Sequence, residues 1–236
     1  VITGGAGFIG SHIVDFFVDK FPEAECIVLD KMTYAADYRY LDQHRETPNF
    51  SLVVGDICDQ TICDSILKGS DLLIHAAAES HVDNSFESSL IFTKTNVLGT
   101  HTIMQSALHH NIPKIIHIST DEVYGEIVKG AVSESGAFAP TNPYSASKAA
   151  AEMIVNGYIN AFKLPAILVR ANNMFGTRQF PEKLIPGSLL RLISGKKISL
   201  HGSGLNKRTF LSVLDFCEAL HLLVQKGEIG EAYNIG

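Results

Sequence analysis

The chain has 236 residues, 46% of them hydrophobic, and a net charge of −6. That is enough apolar material for one or two packed domains, and it leaves no basic face for nucleic acid or an anionic membrane surface. No apolar run approaches the ~18–20 residues of a spanning helix, and Cys26, Cys58, Cys63 and Cys217 form no CxxC pair and no metal-ligand cluster. Reduced thiols in a cytoplasmic protein with no bound metal are therefore expected.

Short β-branched runs alternate with longer amphipathic stretches, the pattern of βαβ units around a parallel sheet. Residues 1–3 predict the first strand. Gly4-Gly5-Ala6-Gly7-Phe8-Ile9-Gly10 follows it and opens a helix predicted over Phe8–Lys20. In that context the glycines read as a dinucleotide-binding turn. Gly4 permits the tight turn, Gly7 lets backbone approach a pyrophosphate, and Gly10 lets helix and strand pack. The helix N-terminus then offers free N–H groups to the phosphates.

The second strand, Cys26–Asp30, ends on a carboxylate placed to accept the ribose hydroxyls of NAD and to repel a 2′-phosphate, although Lys31 beside it weakens that exclusion. A third strand over 51–54 leads to Asp56 and Ile57, which either meet the adenine edge or, in the case of Asp56, simply face solvent. A helix over Gln60–Leu67 and a strand over 72–75 precede Ala76-Ala77-Ala78, whose small side chains suit either a cofactor lying on the backbone or close packing. One long helix is predicted over 86–110 and a strand over 114–119.

Ser119-Thr120-Asp121-Glu122 ends that strand, at the edge where such sheets bind ligands. Two neighbouring carboxylates in a shared cleft push their pKa values apart, so one can act as acid and the other as base. Asn142-Pro143 starts a helix predicted over Pro143–Phe162. Tyr144 and Lys148 share one of its faces. The Lys148 ammonium and a positive nicotinamide are expected to lower the Tyr144 pKa, so that the phenolate takes a proton from a sugar hydroxyl while Thr120 hydrogen-bonds the same oxygen. A strand over 166–170 completes this part. Beyond it Gly and Pro punctuate a helix near 182–194, short strands near 198–201 and 209–211, and a helix near 214–225. The expected architecture is α/β: a Rossmann-type doubly wound parallel sheet over 1–171, with a smaller, C-terminally incomplete substrate-binding lobe over 172–236. Val1 falls inside the first strand and 232–236 reads as a strand leading onward, so the chain is expected to be a domain excised from a longer protein.

The glycine turn, Thr120-Asp121-Glu122-Val123-Tyr124-Gly125, Pro143-Tyr144-Ser145-Ala146-Ser147-Lys148, Phe180-Pro181-Glu182-Lys183-Leu184-Ile185-Pro186 and the stretch from His75 to Asp83 resemble the extended short-chain dehydrogenases. More narrowly they resemble the nucleotide-sugar 4,6-dehydratases acting on dTDP-glucose or UDP-glucose. The resemblance implies a lyase of nucleotide-sugar metabolism that recycles NAD internally. In it Tyr144 removes the C4 hydroxyl proton, Glu122 the C5 proton, and Asp121 protonates the leaving C6 hydroxyl. It also implies that Phe8, Ile9, Asp30, Lys31, Thr33, Asp56, Ile57, Ala76, Ala78, Ser80, Thr95, Tyr144, Lys148 and Asn173 touch NAD. Ser80, Thr120, Asn172, Lys183, Leu184 and Arg208 would touch substrate, Arg208 as a charge-assisted fork on the diphosphate. A homodimer joined through the helices over 86–110 and 143–162 is implied as well.

The chain departs from the family at Asn172-Asn173-Met174-Phe175-Gly176, where a Tyr is usual, at Thr209-Phe210, where bacterial members carry Asp or Asn and then Trp, and at Leu205-Asn206-Lys207. These changes bear on the base, with a lean to UDP, and leave the sugar chemistry intact. Two alternatives stand beside the dehydratase. A 4-epimerase or decarboxylase of the same family keeps Tyr and Lys but lacks the Asp-Glu pair. A non-catalytic NAD-binding scaffold commonly loses the Tyr or the Lys. Asp30, by favouring NAD over NADP, weighs against a GDP-mannose dehydratase.

Overall fold

A computed structural model describes residues 1–127, 130–198, 204–205 and 207–236. Seven parallel strands form the central sheet in the order β3-β2-β1-β4-β5-β6-β9. They are β1 (Ile2–Thr3), β2 (Cys26–Asp30), β3 (Phe50–Val54), β4 (Leu73–His75), β5 (Ile115–Thr120), β6 (Ala166–Ala171) and β9 (Ala232–Ile235). The order reverses between β1 and β4, and that reversal opens a crevice at the strand C-termini, where such sheets take ligands.

The strands are apolar throughout because both faces are covered, and successive side chains serve opposite layers. Ile116, Ile118, Ile167 and Val169 pack with Ile13, Val14 and Phe17 of α1 (Phe8–Lys20) and with Phe216, Cys217 and Leu220 of α8 (Val213–Lys226). Ile115, Ala166 and Leu168 face the other way, onto α2 (Gln60–Leu67), α5 (Thr100–His109) and α6 (Pro143–Phe162), against Ile66, Ile103, Met104 and Val155.

The N-terminus of α6 is fixed locally. The Asn142 side chain accepts from the Ser145 N–H at 2.8 Å, the Ser145 hydroxyl takes the Asn142 N–H, and Pro143 occupies the first turn, where its missing N–H is harmless. The single helix expected over 86–110 is divided. α3 (Val82–Glu87) and α4 (Ser89–Phe92) meet at Ser88, whose φ −134°, ψ 50° is not helical, and a π-helical stretch over Thr93–Gly99 leads into α5. The wide turn carries Asn96, whose side chain accepts from the Glu79 N–H at 2.8 Å and donates to the Glu79 carbonyl at 2.9 Å and to Ser147 Oγ at 2.8 Å. Tertiary hydrogen bonds win over the regular ladder there, as they often do near functional sites.

The chain after 171 divides in two. β7 (Asn173–Phe175) and β8 (Phe210–Ser212) form a separate two-stranded parallel sheet, and α7 (Leu184–Ile193) lies between them in sequence with no buried residue. α8 and β9 instead return to the main sheet, β9 pairing with β6. The stretch expected to lie in a smaller lobe over 172–236 thus includes the last helix and strand of the central layer, because their apolar faces complete its core. The strand expected near 198–201 falls, from 199 onward, outside the described residues, as does Asn206.

Candidate active site

The glycine turn lies against backbone on two sides. Gly4 has φ +72°, and a Cβ on it would stand 2.7 Å from the Ala77 Cα. A Cβ on Gly10 would meet the Gly4 carbonyl oxygen at 2.0 Å, whereas one on Gly7 would meet only that oxygen, at 3.4 Å. Gly4 and Gly10 therefore set the shape of the turn, and Gly7 leaves the space in front of it open. The first turn of α1 faces that space with Phe8 and Ile9 half-buried. Such a cradle suits a pyrophosphate, which the helix N–H groups would hold.

Asp30 anchors the turn. Its carboxylate accepts from the Ala6 N–H at 2.9 Å and the Met32 N–H at 2.8 Å, and burial raises its pKa against those two bonds. Asp56 is not a free acid. Lys31 Nζ stands 2.8 Å from one oxygen and the Cys58 N–H donates to the other at 2.9 Å, and despite its burial these bonds hold its pKa below the usual carboxylate value. Ile57 is core, packed beneath Gly99, so only its backbone is left for a ligand. Ala76 and Ala77 take bonds from their N–H groups to the Thr3 carbonyl and hydroxyl, both at 3.2 Å, and Ala78 continues the wall half-buried. Thr33 is exposed and Thr95 half-buried on the π-helical stretch.

Thr120, Asp121 and Glu122 stand at the C-terminal end of β5, on a short 3-10 turn over Asp121–Tyr124. The Thr120 hydroxyl donates to Asp121 Oδ1 at 3.2 Å and accepts from the Glu122 N–H at 3.3 Å. Burial, and then the neighbouring Glu122, raise the Asp121 pKa. Asn142 Nδ2 donates to Glu122 Oε2 at 3.3 Å, a role the sequence hid behind that residue's helix cap.

On α6, Lys148 is buried and its Nζ donates to the Ile118 carbonyl at 2.6 Å, with burial pushing its pKa down to about 8. Burial, with Glu122 second, raises the Tyr144 pKa, and the Thr120 hydroxyl opposes this. The lowering expected from Lys148 and the nicotinamide together is not what the side chains alone provide: removal from water, with the carboxylates of Glu122 and Asp121, raises the value.

The remaining expected residues lie on other elements. Lys183 Nζ donates to the Ser80 carbonyl at 3.0 Å, and burial lowers its pKa. Leu184 is exposed at the start of α7. The Asn172 N–H donates to the Ile235 carbonyl at 2.9 Å, and Asn173 begins β7. Arg208 is exposed and donates to the Lys207 carbonyl at 2.8 Å, while its charge moderates the rise at Asp121. Three residues that sequence reasoning missed close the rim: the Tyr34 hydroxyl donates to Glu182 Oε1 at 3.1 Å and accepts from Asn84 Nδ2 at 3.2 Å. No spacing rule links positions so far apart. Among the described residues no acid, His and Cys cluster could hold a metal ion, and no helix is long and apolar enough to cross a membrane.

The profile of the GDP-mannose 4,6 dehydratase family matches residues 1–236. The chain is 44% identical, over its whole length, to 36% of the trifunctional UDP-glucose 4,6-dehydratase/UDP-4-keto-6-deoxy-D-glucose 3,5-epimerase/UDP-4-keto-L-rhamnose-reductase RHM2 of Arabidopsis thaliana. It is 42% identical, again over its whole length, to 57% of the dTDP-D-glucose 4,6-dehydratase of Dictyostelium discoideum. The chain thus spans about a third of the first relative and just over half of the second. A crystal structure of DesIV, a dTDP-glucose 4,6-dehydratase of Streptomyces venezuelae with NAD and TYD bound, superposes with a TM-score of 0.97 at 40% identity, covering all of this chain and 74% of that one.

Proposed function

This chain belongs to the GDP-mannose 4,6 dehydratase family, and we propose that its protein dehydrates a nucleoside-diphosphate glucose to the 4-keto-6-deoxy sugar, with NAD recycled at each turnover. One observation carries the reading: the Asp121-Glu122 pair stands beside Thr120 at the end of β5, with Glu122 close enough to Tyr144 to raise its pKa. The space that Gly7 leaves open in front of the turn, which a Cβ there would enter, fits the pyrophosphate of NAD, and the Asp30 carboxylate beside the turn fits the ribose. Bound NAD would accept hydride from C4 of the glucose and return it at C6.

The side chains supply the proton chemistry. Tyr144 takes the proton of the C4 hydroxyl, and the Thr120 hydroxyl, turned from Asp121, would steady the phenolate by donating to it. Lys148, still charged at neutral pH by its lowered value of about 8, favours the same anion. A ketone at C4 acidifies C5–H, and Glu122 removes that proton and returns one to C5 when hydride reaches C6. Asp121, whose pKa is raised by burial and then by its neighbour, gives a proton to the departing C6 hydroxyl. Lys183, Asn172 and Arg208 are assigned to the substrate and its diphosphate.

Substrates named for the relatives include both UDP-glucose and dTDP-glucose. Thr209 and Phe210, in place of the bacterial polar residue and Trp, favour UDP. We assign a homodimer through the exposed face of α5 and α6. Leu98 before α5 and Met153 and Phe162 on α6 are exposed, and His101 and Tyr158 make an edge contact between the two helices at 5.6 Å. The four free cysteines agree with a cytoplasmic location.

The test is incubation of the full-length protein with UDP-glucose and with dTDP-glucose, followed by mass analysis. Loss of one water from the sugar is expected. An epimer of unchanged mass would replace this reading with the epimerase.

A further inference from the structure

The turn bearing Asp121 and Glu122 and the helix bearing Tyr144 and Lys148 are joined behind the cleft by one buried guanidinium. Arg170 stands on β6, in register with Ser119 of β5. Its Nε donates to Glu152 Oε1 at 2.8 Å and its Nη2 donates to the same oxygen. Its Nη1 donates to the Tyr124 hydroxyl and, at 2.7 Å, to the Glu134 carbonyl. Glu152 lies one turn beyond Lys148 on α6, and Tyr124 ends the 3-10 turn that Asp121 begins. The guanidinium lies over the rings of Tyr124 and Phe138, 5.1 and 4.9 Å from their centres. Tyr124 passes its own hydrogen to Asn234 Oδ1 at 2.8 Å, which extends the link to β9.

Arg170, Glu152 and Tyr124 are all buried. A buried ion pair is seldom more stabilising than apolar packing of the same volume, so geometry is the better account of this one. The Asp121-Glu122 turn is also tied by the Thr120 cap and the Asn142 contact, both 3.3 Å long, and by the Ala139 N–H, which donates to the Val123 carbonyl at 3.0 Å, but none of these reaches α6 and β6 together as the guanidinium does. The planar fork bonds the helix and the turn from separate nitrogens, and a lysine at 170, with all three donors on one nitrogen, would not span both in the same geometry.

The geometry points to Arg170 as a positioning residue that, through Tyr124 and Glu152, holds the Asp121-Glu122 pair at a fixed setting against Tyr144, so that its loss uncouples water elimination from sugar oxidation. This rests on the dehydratase reading. Oxidation at C4 needs Tyr144 and Thr120, which β5 and α6 hold directly. Elimination across C5 and C6 needs the two carboxylates, which the turn carries and Tyr124 anchors. A shift of about 1 Å in such groups slows a step roughly a hundredfold.

The test compares full-length wild type with Tyr124→Phe, which keeps the ring and removes only the hydroxyl, and with Arg170→Lys. Three quantities are read: formation of reduced nicotinamide by near-ultraviolet absorbance in a single turnover, uptake of solvent deuterium at C5, and melting temperature. In Tyr124→Phe, deuterium uptake and product release are expected to slow about tenfold or more, the effect of one lost hydrogen bond to a charged partner. Sugar oxidation stays within about twofold, so reduced nicotinamide accumulates. Arg170→Lys moves the same way and further; if that variant does not fold, Tyr124→Phe carries the comparison. Oxidation and elimination falling together in step with melting temperature, or both staying at wild-type rates, overturns the proposal. A wild type that oxidises no sugar and releases no dehydrated product overturns the dehydratase reading and this inference with it, whereas wild-type turnover with an unaffected Tyr124→Phe overturns the inference alone.

Discussion

Adding one methyl group at Gly10 and, separately, at Gly7 should separate the shape of the turn from what lies over it. At Gly10 the methyl would sit 2.0 Å from the Gly4 carbonyl oxygen, 2.7 Å from the Gly4 carbonyl carbon and 2.8 Å from the Gly5 Cα. All three are backbone. The Gly4 N–H is tied to the Leu29 carbonyl at 2.7 Å and the Ala6 N–H to Asp30 at 2.9 Å, so the turn cannot slide away without breaking bonds to β2. Overpacking of this kind costs about 1–3 kcal/mol or more. Alanine returns up to ~1 kcal/mol of helix propensity. A net loss near 2 kcal/mol lowers the melting temperature of a chain this size by roughly 4–8 °C.

At Gly7 the backbone is extended (φ −83°, ψ 179°), which alanine tolerates, and the methyl meets one atom at 3.4 Å. Gly7→Ala should therefore melt like wild type yet bind NAD at least about tenfold more weakly, because the methyl occupies the approach to the phosphates. Thermal denaturation of the cofactor-stripped protein and calorimetric titration with NAD read the two effects. A Gly10→Ala protein of wild-type stability, or a Gly7→Ala protein of wild-type NAD affinity, would refute this account of the turn.

Tyr144→Phe should lower turnover by ~10²–10⁴-fold while leaving NAD affinity within about twofold, measured by product formation and by titration. Asp121→Asn and Glu122→Gln should each slow loss of water more than oxidation of the sugar, so reduced nicotinamide builds up in a single turnover; equal slowing of both steps would contradict the assigned roles. Lys148 titrates at about 8 in the fold against 10.5 in the unfolded chain, so between those pH values the unfolded state holds more proton and the lysine's contribution to stability rises with pH, by up to ~3 kcal/mol. The difference in unfolding free energy between wild type and Lys148→Met should move in favour of wild type across that window, and a flat difference by denaturant titration would place the lysine in contact with water. Leu98→Glu, on the exposed face beside α5 and α6, should convert the proposed dimer to a monomer by light scattering; an unchanged mass would overturn the assignment of that face as the interface.

The elements that carry chemistry were legible where local signals and tertiary demands agree. α1, α2, α6 and β2 have the bounds their caps, glycines and apolar runs imply. Disagreement begins where distant groups decide. Nothing in the helical pattern over 86–110 announces that Asn96 will bond Glu79 and Ser147, and those bonds open the π-helical stretch. β9 is readable as a strand, but its partner is not, since pairing with β6 depends on α8 filling a gap beside α1. The spacing of Tyr144 and Lys148 is plain in the sequence, yet the direction of the tyrosine's shift depends on burial by the whole fold. Arg170 reads as the end of a strand until Glu152 and Tyr124 close around it.

The pairing of β9 with β6 sets an order on the ribosome. β6 ends at Ala171 and its outer neighbour begins at Ala232, so a nascent chain leaves the ribosome with Leu168 and Val169 on an open sheet margin. At ~5–20 residues per second that margin stays bare for roughly three to twelve seconds. An open apolar margin is a template for strands of other chains. Late synthesis, rather than the finished protein, is thus where this molecule most needs a chaperone, and slowing translation across 172–231 should send more of it into inclusion bodies without changing a single native contact.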